Sequence, residues 1–282
     1  MSSSSILVLG GPDCGKTNFI GRLWLSLNSR RHALVAIEVP PNIDYVLDTA
    51  EHLCAGRFAP RSEHTEARRD FEVVVGRTDG RSRAKVVIPD ISGELWKNAV
   101  ESAELDAAWM EAMGNADGAL LFVRVGSEEN IEALNWVTSG RLLAKLGKRA
   151  KSGIPTQVML CELLRFLELK LARRTNGSAP KVAVVVAAWD SVDPATSAKG
   201  PERFLAKNYP LFAGRLQDTT LSTKVFGLSI VGGDLQHDDA YREQFLEGSI
   251  DEHGWISACD QGGDNWVKNS DLTLPIAWVA DL

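Results

Sequence analysis

Eight residues near the amino terminus carry the most specific chemical pattern in the chain. Residues 10–17 read Gly-Gly-Pro-Asp-Cys-Gly-Lys-Thr and match G-x-x-x-x-G-K-[ST]. Glycines at this spacing let the backbone curl so that successive N–H groups point at phosphate oxygens. The lysine adds a positive charge, and the threonine hydroxyl is a hard oxygen ligand of the kind that Mg²⁺ takes. The pattern predicts a site for nucleotide phosphates.

The candidate ligands of this loop divide by role. We expect Lys16 to reach the β and γ phosphates and Thr17 to complete the shell of a Mg²⁺ ion. The other expected phosphate-binding positions are Gly10, Asp13, Cys14 and Gly15. A chance glycine turn would give the same letters, but apolar residues 6–9 precede the loop and residues 16–27 have apolar positions at helical spacing.

A second, acidic motif follows an apolar stretch later in the chain. Residues 84–90 end in Asp90, and Gly93 and Glu94 complete D-x-x-G followed by an acid. An aspartate at a strand tip beside the phosphate loop would hold Mg²⁺, commonly through a bound water. Gly93 lets its amide approach a γ phosphate, and Glu94 stands where a water-orienting residue is wanted. A plain strand-to-helix turn is the alternative explanation.

The elements that must position these motifs alternate between strand and helix. Short apolar runs predict buried parallel strands at residues 85–89, 119–125, 181–187 and 224–231. The turn dipeptide Asp79-Gly80 predicts a hairpin, so residues 69–78 should lie antiparallel to 83–89 at a sheet edge. The pattern is typical of a doubly wound α/β fold with a mostly parallel sheet of about six strands and one antiparallel edge strand.

The sequence predicts one domain, residues 1–282, with a helical insertion at residues 127–179. Periodic leucines in the insertion predict two or three helices, which is more than a normal crossover contains. The insertion is also locally basic, and a solvated helical face explains those charges.

Composition limits the function classes. The net charge of -6 argues against a protein that coats nucleic acid, and the four cysteines form no C-x-x-C pair, so neither a zinc ribbon nor a disulfide framework is indicated. No apolar run approaches the roughly 20 residues of a membrane span. The first residues lack the pattern of a signal peptide, and we expect a cytoplasmic protein.

The order of phosphate loop, hairpin and Asp90-x-x-Gly93 resembles the translation-factor and Ras-like class of P-loop GTPases. The resemblance implies two switches, at residues 56–66 and 90–98. It also implies a threonine in the first switch that reaches Mg²⁺ and the γ phosphate. Thr65 is the candidate, and a solvent-facing loop residue is its alternative reading. Arg61 would be an arginine finger in cis, but a free surface arginine is the simpler interpretation.

In the Ras-like pattern N-K-x-D, the aspartate pairs with the guanine edge and the lysine stacks on the base. Asp190 keeps the aspartate after a predicted strand, whereas Ala187 and Ala188 replace the asparagine and lysine. Guanine preference would then rest mainly on Asp190, with Trp189 as a stacking surface; a core tryptophan beside a capping aspartate is the alternative. The last predicted strand ends in Ser229, and this end resembles the loop of Ras-like proteins whose backbone touches the guanine carbonyl.

Short pieces spread over nearly the whole chain are similar to bacterial double-GTPase families. They are residues 90–94, 188–190, 209–211, 227–229 and 274–278. Members are thought to act in bacterial conflict or anti-phage systems. The resemblance implies GTP and GDP as substrate and product, Mg²⁺ as cofactor, and a protein partner such as a GTPase-activating-like or second GTPase subunit.

Two other functions stay open at the level of sequence. A P-loop ATPase or small-molecule kinase is favoured by the missing asparagine and lysine, while the hairpin and D-x-x-G oppose it. A binding module with a structural nucleotide is opposed by the intact Lys16, Thr17, Asp90 and Glu94.

Overall fold

Strands and helices alternate along the computed structural model. The structure describes residues 2–40, 43–60, 69–80, 83–90, 93–133, 153–171, 177–259 and 265–282. The strands are β1 (Ser2–Leu9), β2 (Leu34–Ala36), β3 (Arg69–Arg77), β4 (Arg83–Asp90), β5 (Gly118–Arg124), β6 (Lys181–Ala187), β7 (Ser222–Ser229), β8 (Trp255–Cys259) and β9 (Trp266–Asn269).

Within the described residues these strands form one nine-stranded sheet in the order β2-β3-β4-β1-β5-β6-β7-β8-β9. The neighbours from β4 through β1, β5 and β6 to β7 pair in parallel. The remaining pairs, β2 with β3, β3 with β4, β7 with β8 and β8 with β9, are antiparallel. The carboxyl ends of the parallel strands therefore meet along one edge, where ligands bind in open α/β sheets.

The predicted fold class is confirmed, but the antiparallel strand β3 is not at the sheet edge as predicted, because β2 pairs along its other side. The hairpin strands β3 and β4 pair over their length, from Arg69 opposite Asp90 to Gly76 opposite Arg83. The structure adds β2, β8 and β9, which the sequence did not predict, and all of them are antiparallel. They have 3, 5 and 4 residues, too few to show a clear alternation of apolar and polar positions.

The α-helices are α1 (Lys16–Ser29), α2 (Asp44–Cys54), α3 (Gly93–Ser102), α4 (Ala107–Gly114), α5 (Thr156–Lys170), α6 (Pro194–Ser197), α7 (Gly200–Asn208), α8 (Pro210–Gln217), α9 (Asp239–Glu247) and α10 (Leu274–Ala280). Helix α5 lies in the stretch predicted as an insertion. Residues 134–152 and 172–176 of that stretch are outside the described residues, so the extent of the insertion stays a prediction. No helix in the described part of the chain is long and apolar enough to cross a membrane.

Two apolar layers cover the two faces of the sheet. Strand β1 shows this most simply, because Ile6 and Val8 pack in one cluster with α1 and α10, while Leu7 and Leu9 pack in the other with α3, α5 and α8. A strand that is buried on both faces reads as a continuous apolar run, as residues 6–9 do. The sheet core thus fixes the strand from which the phosphate loop departs.

Gly227 gives a test of the packing between β6 and β7. A Cβ at this position would lie 2.6 Å from Cδ1 of Trp189, whose ring packs edge-on against Phe204 with centroids 5.4 Å apart. The indole lies between Gly227 and Phe204 and cannot move away from an added methyl group. We therefore expect Gly227→Ala to lower the free energy of unfolding by about 1–3 kcal/mol, measured by urea denaturation.

Gly214 in α8 supplies the matched control. Apart from its chain neighbours and the backbone of its own helix, no atom of the described residues lies within 4 Å of a Cβ built there. We expect Gly214→Ala to leave stability unchanged or to raise it by up to about 1 kcal/mol, because alanine is the better helix former. An equal loss of stability in both variants would contradict the close packing of Gly227.

Candidate functional site

The phosphate loop connects β1 to α1 at the carboxyl edge of the parallel strands. Gly10 has φ 148°, a conformation that favours glycine. A Cβ there would lie 2.8 Å from the Cys14 Sγ and 2.9 Å from the Phe122 carbonyl oxygen, so no side chain fits. Gly15 has φ 86° and caps α1. The strand, loop and helix that the motif requires are therefore all present.

Lys16 directs its ammonium group back into the loop. The residue is 6 % exposed. Its Nζ donates to the carbonyl oxygens of Gly10 at 2.9 Å and Gly11 at 3.1 Å, and lies 3.3 Å from Cys14 Sγ. These acceptors satisfy a buried charge that would otherwise be costly. Phosphate oxygens entering the loop would compete for the same donors.

The acidic motif lies directly against the phosphate loop. Asp90 ends β4, which pairs in parallel with β1, so the two strands end side by side. A Cβ on Gly93, the first residue of α3, would lie 2.4 Å from the backbone of Gly11 and Pro12. Only glycine allows this approach, and the half-buried Glu94 follows it. The structure thus brings Gly93 to the loop, and Glu94 is the next residue in the chain.

The first residues of the predicted first switch are held by α1. The backbone N–H of Ala59 donates to Asn18 Oδ1 at 2.9 Å. Sequence reasoning missed Asn18, although it directly follows Thr17. The predicted Thr65 and Arg61 lie outside the described residues, so their roles stay predictions.

The predicted base-side residues Asp190 and Ser229 are brought together at the ends of neighbouring strands β6 and β7. The fully buried Ser229 hydroxyl donates to the Asp190 carboxylate and accepts from the Gly232 N–H at 2.8 Å. Burial raises the pKa of Asp190 above its ordinary value, and the negative charge of Asp234 adds to this, while the Ser229 hydrogen bond and the charge of Arg124 oppose it.

Trp189 requires a correction. Its side chain is fully buried, packing on Gly227 and edge-on against Phe204. Ala188 before it adopts φ 55°, a left-handed conformation that turns the chain as β6 ends. The indole therefore belongs to the apolar core and presents no face for stacking on a base. The proposed stacking surface was wrong, and the alternative of a core tryptophan is the one observed.

A family model described as Double-GTPase 1 matches residues 7–279. The chain belongs to the Double-GTPase 1 family. This confirms the resemblance drawn from the sequence motifs, and membership supports GTP binding.

Several solved structures are similar to this Double-GTPase 1 chain at low identity. The signal recognition particle receptor SRb-GTP/SRX complex from Chaetomium thermophilum is 13% identical over 87% of this chain and 98% of that chain, with a TM-score of 0.39. The bacterial selenocysteine-specific elongation factor EF-Sec is 12% identical over 88% of this chain and 29% of that chain, with a TM-score of 0.38. A probable GTP-binding protein engB is 14% identical over 86% of this chain and 99% of that chain, with a TM-score of 0.34. No curated protein sequence matches the chain.

In this Double-GTPase 1 protein, Arg124 is a site residue that sequence reasoning missed. It ends β5, and its Nη1 donates to Asp13 Oδ1 at 2.8 Å and to the Asp13 carbonyl oxygen at 3.1 Å. The Ser127 hydroxyl donates to the other Asp13 carboxylate oxygen at 3.2 Å. A single arginine that ends an otherwise apolar strand at the carboxyl edge was the available sequence clue.

Arg22 of α1 joins the helix that follows the phosphate loop to the segments after β7. Its guanidinium is fully buried and donates to the carbonyl oxygens of Ile230 at 3.1 Å, Ile250 at 2.9 Å and His253 at 2.9 Å. Burial lowers the pKa of Arg22 to about 10, although the charge of Asp251 opposes the shift, so the group is protonated at neutral pH.

The loop after β7 depends on this contact and on two others. The Ser229 hydroxyl accepts from Gly232, and the Tyr241 hydroxyl donates to the Val231 carbonyl oxygen at 2.7 Å. Arg22 fixes Ile230 between them. The loop that carries Ser229 is therefore held from three directions.

We expect Arg22→Met to lower the free energy of unfolding by about 3–5 kcal/mol, because it leaves buried carbonyl oxygens without donors. Urea denaturation measures the change. The control is Arg165→Met, which removes an arginine that is 47% exposed and paired with Glu162. This change should stay within about 0.5 kcal/mol. A loss no larger than the control's would show that Arg22 does not hold the loop.

Proposed function

We propose that this Double-GTPase 1 protein binds GTP with Mg²⁺, hydrolyses it, and uses the change of nucleotide as a conformational switch. The observation that carries the proposal is the meeting of three features at one sheet edge. They are the phosphate loop with its buried Lys16, the packing of Gly93 on that loop, and the hydrogen-bonded pair of Asp190 and Ser229.

At the phosphates, the proposal gives Lys16 an electrostatic role and Glu94 a role in placing water. Lys16 would exchange its carbonyl acceptors for β and γ phosphate oxygens and offset the charge that develops on them. Glu94 would orient a water whose oxygen bonds to the γ phosphorus while the bond to the β–γ bridging oxygen breaks, giving GDP and phosphate. Glu94 follows the glycine that touches the loop, which supports this role. Without a partner the turnover would be slow.

The residues present suit a magnesium ion. Thr17 offers a hydroxyl and Asp90 a carboxylate, and the parallel pairing of β1 with β4 supports their being neighbours. Hard oxygen ligands of this kind, completed by waters and phosphates, are those that Mg²⁺ prefers. We propose Thr65 as a further ligand on the strength of the resemblance. When bound, the ion supplies positive charge to the β and γ phosphates.

The switch half of the proposal concerns residues 56–66 and 90–98. The contact of Gly93 with Gly11 supports a second switch that senses what occupies the loop. A γ phosphate in the loop would lie close to this contact, so its arrival or loss would change how Gly93 packs. The hydrogen bond between Ala59 and Asn18 ties the entrance of the first switch to the helix that begins at the phosphates. We extend the proposal, from resemblance alone, to a GTPase-activating-like or second GTPase partner in bacterial anti-phage defence.

Guanine recognition rests on Asp190. An ionised carboxylate accepts hydrogen bonds only, and guanine presents two N–H donors side by side, the ring N1–H and the exocyclic amine, a pair that adenine lacks. The apolar side chains of Ala187 and Ala188 favour a second candidate function, a P-loop ATPase, because they offer no polar contact to a base. Binding of GTP without turnover would instead indicate a nucleotide-occupied binding module.

We expect Lys16→Ala to slow phosphate release from GTP by at least about 100-fold, because the donor to the transferred phosphate is lost. Release of inorganic phosphate, measured with and without Mg²⁺, tests this. Lys207→Ala removes an exposed lysine on α7 and should leave the rate unchanged. Equal rates for Lys16→Ala and the wild-type protein would refute hydrolysis at this site.

We expect Asp190→Asn to reverse the base preference. The wild-type carboxylate accepts from both guanine donors, whereas an asparagine amide can donate to the xanthine carbonyl that replaces the exocyclic amine. The ratio of GTP to xanthosine triphosphate affinity should fall by at least about 100-fold.

Asp193→Asn is the matched control for this substitution. Its carboxylate caps α6 by accepting from the Thr196 N–H, a role that asparagine fills equally well. Its base preference should therefore equal that of the wild type. ATP affinity measured in parallel decides against the guanine assignment if the wild-type protein prefers adenine.

A further inference from the structure

The contact between Arg124 and Asp13 addresses an electrostatic problem inside the phosphate loop. Asp13 places a carboxylate in a loop whose ligand is a polyanion, and like charges at close range repel strongly where water is scarce. Asp13 also adopts φ 57°, so its backbone has the left-handed conformation within the loop. A carboxylate at this position needs a compensating charge before phosphates enter.

Arg124 supplies that charge from the neighbouring strand. One guanidinium nitrogen donates to both the carboxylate and the carbonyl oxygen of Asp13, at 2.8 Å and 3.1 Å. The pair holds the side chain and the backbone of the same residue, so it neutralises the carboxylate and fixes the loop at once. The side chains are partly exposed, at 35% for Arg124 and 23% for Asp13, which leaves the pair open to an incoming ligand.

The chain around Arg124 keeps it in this place. Arg124 lies opposite Ala187 in the parallel pairing of β5 with β6. The Tyr209 hydroxyl donates to the Arg124 carbonyl oxygen at 3.4 Å, and Ser127, from the turn that follows β5, donates to Asp13 as well. Two donors from one segment therefore converge on one carboxylate.

We propose that Arg124 is a positioning residue of the nucleotide site, which neutralises Asp13 so that the loop accepts a nucleoside triphosphate. It acts through Asp13 and not by chemistry on the substrate. The identity of the ligand rests on the proposed function, but the charge argument holds for any nucleoside triphosphate. The proposal has one distinctive consequence. Removal of Arg124 should weaken binding most for the nucleotide that carries the most phosphates.

A double-mutant cycle tests the proposal. Arg124→Ala should weaken binding of GTP by about tenfold and of GDP by less, because an unneutralised Asp13 repels each added phosphate. Asp13→Asn removes the carboxylate, so its ratio of GTP to GDP affinity should not fall as the ratio of Arg124→Ala does. The double variant should recover most of the affinity that Arg124→Ala loses. Arg124→Lys, which keeps the charge, should retain most of it too.

Controls separate this role from a purely structural one. Melting temperatures without nucleotide report the stability of each variant, and Arg165→Ala reports the loss of an unrelated surface arginine. Equal losses for GTP and GDP, with no recovery in the double variant, would overturn the proposal. If the wild-type protein binds ATP in preference to GTP, the proposed function fails, and the same cycle measured with ATP and ADP still decides the role of Arg124.

Discussion

The buried ammonium group of Lys16 is the constraint on which the site depends. A charge that is nearly removed from water must have acceptors within reach, and the loop provides them only because it curls back on itself from Gly10. That curl requires a strand that cannot shift, and β1 is fixed because its side chains are buried on both faces of the sheet. The core of the fold and the polarity of the loop are thus parts of one arrangement.

Buried and partly buried arginines extend that arrangement across the sheet edge. Arg22 ties the helix that begins at the phosphate loop to the loop after β7, and Arg124 ties the tip of β5 to the phosphate loop itself. A guanidinium suits both tasks, because several donors in one plane can serve carbonyl and carboxylate oxygens together. The phosphate loop and the loop after β7 are consequently held in one frame.

The parts of the site that depend on adjacent residues could be predicted from the sequence, whereas the contacts between distant residues could not. The phosphate loop, the hairpin and the D-x-x-G glycine are patterns of adjacent residues, so the sequence alone located them and the parallel strands between them. Arg124 and Asp13 are 111 residues apart, and no local sequence pattern indicates that their side chains meet. Trp189 was misjudged for the same reason, because its burial depends on Gly227 in another strand.

The base half carries its own physical logic. With Trp189 in the core and alanines before it, the proposed recognition of a base falls to Asp190 and the loop that begins at Ser229. The burial that raises the pKa of Asp190 has already removed part of the water around its carboxylate. A carboxylate in that state has less hydration to lose when it meets two N–H donors, and it penalises a ligand that lacks them. One well-placed acid can therefore discriminate between bases even where the usual asparagine and lysine are missing.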